Sequence, residues 1–189
     1  MDNNLEKIKA GFCAGFNFNY NNWRHGDKEL DFSEKEDCFD HPFCKAIGIL
    51  INNPDVDKSV YLNKVKNSVY ENKEEILPYL NLYAEALYMM CKGCSRVDIW
   101  DALFESPNTE NKTVYRHLLD SYYLFPDYNV DDGYFVNDYC YIMQIALYLF
   151  WHDITYIQAL NKGSLKYDKP FLLASIGSLC SKHVPLVED

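Results

Sequence analysis

Between Leu77 and Phe104 the chain spells out two helices and the stop between them. Leu77, Leu80, Leu82, Tyr83, Ala86, Leu87 and Met90 recur at the spacing that puts apolar side chains on one helical face. Pro78 stands near the start of that run. Gly93 follows it, and glycine adopts the left-handed conformation of a helix stop without steric cost. Ser95 then stands three residues ahead of Asp98, close to a capping box, and opens a second helix over Val97 to Phe104. This hairpin sets the class, and the flanking segments agree with it.

Asn3 or Asn4 can cap a first helix reaching about Ala14. Pro42 suits the first turn of a helix through Ile51, closed by Asn52-Asn53-Pro54. Asp55 or Asp57 caps the next, in which Val60, Leu62, Val65 and Val69 make an apolar stripe to about Asn72. Ser106-Pro107-Asn108 breaks the helix begun at Val97, and Val114 to Phe125 forms another with Leu118, Leu119, Tyr122 and Tyr123 inward. Tyr134 to Trp151 is the most apolar segment and predicts a central helix touched on most sides. Ile154 to Asn161 ends at Gly163, and Pro170 starts a last helix through about Lys182. No Asn-Gly hairpin signal and no sustained alternation occur outside residues 16–32, and no repeat has a fixed period. The expected fold is all-α: a single compact domain over residues 1–189, with about seven to nine helices and an irregular, acidic, aromatic segment over residues 16–41.

A chain of 189 residues, 48% hydrophobic and 24% charged, can bury a core without disulfide or metal staples. Its seven cysteines are an odd number without regular spacing and read as reduced thiols. Met1 to Lys7 carries no apolar run of the kind a secretory signal needs. Tyr139 to Trp151 is too short for a bilayer, which takes ~20 apolar residues. A cytoplasmic protein that does not enter membranes is expected.

The charge is concentrated. Acids outnumber bases 28 to 18. Residues 27–40 carry a net −5 and residues 126–139 a net −4, which is nearly all of the chain's −10. Phosphate contacts are therefore disfavoured, and neither nucleic acid nor an anionic membrane is an expected direct partner. Both acidic segments also hold aromatics, and acid interleaved with Tyr suits docking onto a basic cleft: carboxylates steer association while rigid rings supply contact area. The candidate partner-binding residues are Asp127, Tyr128, Asp131, Asp132 and Tyr134, then Glu29, Asp31, Glu34 and Glu36. The competing reading of such runs is a solvated face that only keeps the protein dissolved.

Catalytic signatures are sparse. Cys91-Lys92-Gly93-Cys94 has the spacing of a zinc or dithiol pair, and Cys38, His41 and Cys44 lie upstream. The pair straddles an expected helix stop with no strand before it, and buried free cysteines explain it equally well. His152-Asp153 at the end of the apolar helix resembles the metal-binding dyad of the HD phosphohydrolases, with His117 in the place of that family's upstream histidine. That resemblance implies a metal-dependent phosphohydrolase. The further Asp the family needs downstream has only Asp168 and Asp189 as candidates, and Ile154-Thr155-Tyr156 replaces the small residues that follow its dyad. There is no Gly-x-Ser-x-Gly elbow, phosphate-binding glycine loop or His-Glu-x-x-His. A helix-turn-helix over Leu77 to Phe104 would present Asp98, Asp101 and Glu105 to DNA phosphate and be repelled. No catalytic residue, resident metal or cofactor is expected.

In general character the chain resembles the immunity proteins of bacterial polymorphic and contact-dependent-inhibition toxin systems. The likeness rests on size, acidity, a residue usage rich in Asn, Lys and Tyr that suggests AT-rich codons, and the lack of catalytic motifs. It implies a cognate toxin, often a basic nuclease, held inactive in the cytosol. An acidic nucleic-acid mimic encoded by a phage or virus, directed at a host defence protein, shares the same surface chemistry and is the nearest alternative.

Overall fold

The apolar helix that ends at Trp151 gives little of its surface to water and packs against three other helices. A computed structural model describes residues 2–16, 41–123, 138–152, 158–161 and 170–180. Within them the elements are α1 (Asp2–Phe16), α2 (Pro42–Asn52), α3 (Lys58–Asn67), α4 (Lys73–Cys91), α5 (Arg96–Phe104), a 3-10 turn (Pro107–Glu110), α6 (Lys112–Tyr123), α7 (Asp138–Trp151) and α8 (Pro170–Leu179). Residues 158–161 are also helical, and no strand occurs among the described residues. The fold is all-α. Along α7 every residue from Cys140 to Leu147 is buried, and the helix packs against α4, α6 and α8.

α4 is the second axis, touching α2, α3, α5 and α7 along its length. Its end shows why the hairpin was legible. Gly93 adopts φ +80°, its N–H reaches the Met90 carbonyl, and the Cys94 N–H reaches back to Met89, both at 3.0 Å. That is the Schellman closure, and it points the chain into α5. There Ser95 Oγ accepts from the Asp98 N–H at 3.2 Å while the Asp98 carboxylate accepts from the Ser95 N–H, a complete capping box. Pro78 lies deeper than the sequence pattern suggests, as the sixth residue of α4. The carbonyl its missing N–H leaves belongs to Glu74, on an exposed first turn where water is at hand.

Tyrosines serve as struts of the core. Tyr61, fully buried, donates to the Ala46 carbonyl at 3.1 Å and stacks on Tyr88. Tyr83 crosses from α4 to donate to the Ser175 carbonyl of α8 at 2.8 Å, and Tyr88 donates to Val56 at 2.9 Å. Each ring adds apolar area, and each hydroxyl finds a backbone carbonyl to donate to, so its burial does not leave a polar atom unpaired. This corrects the α3 stripe. Tyr61, Val65 and then Val69 face inward, and Val60 is 43% exposed, because the tyrosine has both a ring to bury and a partner for its oxygen. Tyr123, expected inward on α6, is 67% exposed, as helical geometry turns it about 100° from its buried neighbours. α3 is tied to α4 by an ion pair between Lys58 and the buried Glu85.

Among the described residues the most extensive helix–helix contact joins α1 and α8. On α1, Ile8, Gly11, Phe12 and Gly15 form one buried face. Against it lies α8 with Ala174, Gly177 and Ser178, all buried. A Cβ on Gly177 would overlap the Gly11 carbonyl oxygen, 2.9 Å from its carbon and 3.4 Å from the Gly15 nitrogen. Backbone meets backbone here, so no side-chain rotation relieves an added methyl. Gly177→Ala gains about 1 kcal/mol of helix propensity but overpacks a rigid contact costing about 3 kcal/mol. The expected result is a net loss of about 2 kcal/mol in urea unfolding, and an unchanged or raised midpoint would contradict the seam.

Candidate interaction face

The acidic residues singled out in the sequence, Glu29, Asp31, Glu34 and Glu36 and then Asp127, Tyr128, Asp131, Asp132 and Tyr134, lie outside the described residues. The structure does describe the helices that carry the second group's flanks: α6 ends at Tyr123 and α7 begins at Asp138. The surface around Tyr123 is aromatic and partly open. Trp100 of α5 is nearly fully buried and forms the hub, with edge-on contacts to Tyr122 at 5.1 Å and Trp151 at 5.2 Å and a stacked one to Phe104 at 5.5 Å. Tyr122 also meets Trp151 at 4.5 Å. Two rings continue the cluster outward: Tyr115 packs on Phe104, and Tyr123 packs on Tyr122 at 4.8 Å.

The local fold explains this gradient. Trp100 and Phe104 are four apart on α5, and α6 lays Tyr115 and Tyr122 beside them. The buried rings immobilise the outer two, so Tyr115 and Tyr123 present apolar area whose ordering cost is met by the fold itself. On α5, the turn after it and α6, Asp98, Asp101, Glu105 and Glu110 are exposed, as are Lys112 and Arg116, while Asp120 is half-buried and loosely paired to Arg116 at 4.0 Å. Sequence reasoning missed Tyr115 and misoriented Tyr123. The available signal was the Tyr122-Tyr123 pair itself, since on a helix buried along one side only, adjacent residues point about 100° apart.

The alternative chemistries find no assembled centre. Cys91 is buried at the end of α4 while Cys94, three residues on, is exposed beyond the Schellman turn. His41 precedes α2 with its ring against Phe43 and Tyr139, Cys44 is buried in α2, and Cys38 lies outside the described residues. Among the described residues no three His, Cys, Asp or Glu side chains converge as a metal site. Burial pushes the Cys140 and Cys180 thiols up to about 12 and raises Cys91 as well, the opposite of what a reactive thiolate needs.

The phosphohydrolase pair is likewise apart. His117 on α6 has its Nδ1 2.9 Å from the Tyr79 hydroxyl, and its carbonyl accepts from Gln144 at 3.0 Å. His152 stands eight residues past Gln144, about 12 Å further along the helical direction of α7, tilted against Tyr148 and exposed. Asp153 lies outside the described residues.

Desolvation holds the His117 pKa below its ordinary value; Asp120 opposes that shift and Arg116 assists it. The neutral ring is thus favoured in the folded state, and the unfolded chain takes up this proton first as pH falls. Stability from His117 is fully present above about pH 6.5 and is lost as pH falls below it. His117→Gln should flatten the fall in melting temperature between neutral and mildly acidic buffer. Parallel pH profiles for the two proteins would contradict the assignment.

No protein-family model, curated protein or solved structure matches this chain significantly.

Proposed function

We propose that this chain is a binding protein that neutralises a basic partner, a cognate toxin of nuclease type, by forming a tight complex with it. The observation that carries the reading is a pair of exposed tyrosines next in the chain to an acidic segment. Tyr115 and Tyr123 stand exposed, packed on Phe104 and Tyr122, and Tyr123 is followed in the sequence by the segment holding Asp127, Asp131 and Asp132. No helix among the described residues is long and apolar enough to cross a membrane, so the described apolar surface is not committed to a bilayer span.

The division of labour follows from the chemistry. Carboxylates accelerate encounter with a Lys- and Arg-rich cleft and occupy the positions that substrate phosphates would take. Tyrosine rings then lengthen the lifetime of the complex, because they bury area without surrendering much rotamer freedom. A nucleic-acid mimic aimed at a host defence protein would use the same face; the identity of the captured partner separates the two.

The test is a tagged pull-down from the native host at low and high salt, followed by kinetics with the partner identified. A stoichiometric basic toxin, inactive while bound, is expected. Reversing Asp127, Asp131 and Asp132 to Lys should slow association by at least about tenfold and weaken its salt dependence. Unchanged association would remove that segment from the interface, and the absence of any basic partner would overturn the reading.

A further inference from the structure

α6, which carries both exposed tyrosines, is buried at Val114, Leu118 and Ser121 alone. Tyr122 adds the contacts of its half-buried ring with Trp100 and Trp151. A helix with so thin a buried strip opens at lower cost than the core and draws much of its hold from polar contacts. Two of these meet at His117. Its Nδ1 lies 2.9 Å from the Tyr79 hydroxyl of α4, and its carbonyl accepts from Gln144 Nε2 of α7 at 3.0 Å. One residue therefore ties α6 to both central helices.

The ring contact is one that a proton changes. A neutral imidazole can accept the Tyr79 hydroxyl at Nδ1, whereas an imidazolium can only donate. Protonation makes the hydroxyl turn its own hydrogen elsewhere, and it also bonds the Cys140 thiol of α7, 1% exposed. Sulfur is a weak acceptor, so the exchanged bond is poorer, and a charge is left on a half-buried ring. Among the described residues the titratable and charged groups set against the ring are Tyr79 and, through it, Cys140, with Asp120 and Arg116 on α6 itself. Glu110, the acid of the adjoining 3-10 turn, is exposed. Asp120 favours the proton, but desolvation outweighs it, and the folded ring stays neutral to lower pH than a free histidine does.

We propose that His117 is a proton-operated latch: neutral, it fastens α6 to α4 and α7, and on taking up a proton it releases the helix and dissolves the face that carries Tyr115 and Tyr123. Release is a property of the chain alone. Its use, confining partner capture to neutral pH, rests on the function proposed above.

Hydrogen exchange of the full chain without a partner, corrected for the intrinsic effect of pH, tests the latch. One proton taken up on opening changes the opening equilibrium by at most about tenfold per pH unit. Helix Lys112–Tyr123 should therefore lose at least about threefold, and at most about a hundredfold, of its protection between about pH 7 and about pH 5, while α2 and α3 keep theirs. His117→Gln has no proton to take up and should abolish the acid-dependent loss. Tyr79→Phe should leave α6 less protected already at neutral pH, and it decides the matter should His117→Gln not fold. Unchanged protection of α6 in acid, the same loss in His117→Gln, or native protection of α6 in Tyr79→Phe would each overturn the latch. Loss spread equally over all helices would overturn it too. None of these readings depends on whether a basic toxin is found.

Discussion

The contact on which the rest of the structure depends is the glycine seam between α1 and α8. Packing there is backbone on backbone, with Gly177 set against Gly11 and Gly15, so the two helices have one depth of approach and little freedom to slide. Much else is registered from it. α8 presents the Ser175 carbonyl to Tyr83 and so positions α4. α1 brings Asn4 to the end of α4, against the Cys91 carbonyl. An ångström of separation at the seam would loosen all of these together.

Within that frame the core is unusually dependent on tyrosine. Tyr61, Tyr83 and Tyr88 each bridge two parts of the chain by placing a ring in the interior and a hydroxyl on a distant carbonyl. A Phe at any of these positions would preserve the ring packing but give up the hydrogen bond that ties two parts of the chain together. Tyrosine thus occurs in two settings, as a buried strut and as an exposed ring. Tyr115 and Tyr123 belong to the second group, exposed yet anchored through Phe104 and Tyr122 to the buried Trp100.

What could be read from the sequence was what local chemistry dictates. Gly93 and the Ser95–Asp98 pair marked the α4–α5 junction because a left-handed stop and a capping box are each made by a few adjacent residues. Pro42 and the apolar run into Trp151 were legible for the same reason. The facing of α3 was not, since the choice of Tyr61 over Val60 is made by Ala46 and Tyr88, residues distant in the chain. The seam was hidden as well: Gly11 and Gly15 within α1 read as weak helix formers until Gly177 supplies the reason for them. The acids singled out in the sequence lie outside the described residues, and the structure adds Tyr115 and Tyr123, exposed on the helix that precedes the second group of them in the chain.

The proposal that the chain acts by capturing a basic protein concerns the face that carries Tyr115 and Tyr123. Hydrogen exchange on the isolated complex tests it most directly. The account predicts protection concentrated in residues 112–139, covering Tyr115, Tyr123 and the acidic segment that follows, with α1 and the α4–α5 junction unchanged. Protection confined to α1 and residues 90–96, with α6 exchanging as in the free protein, would contradict it.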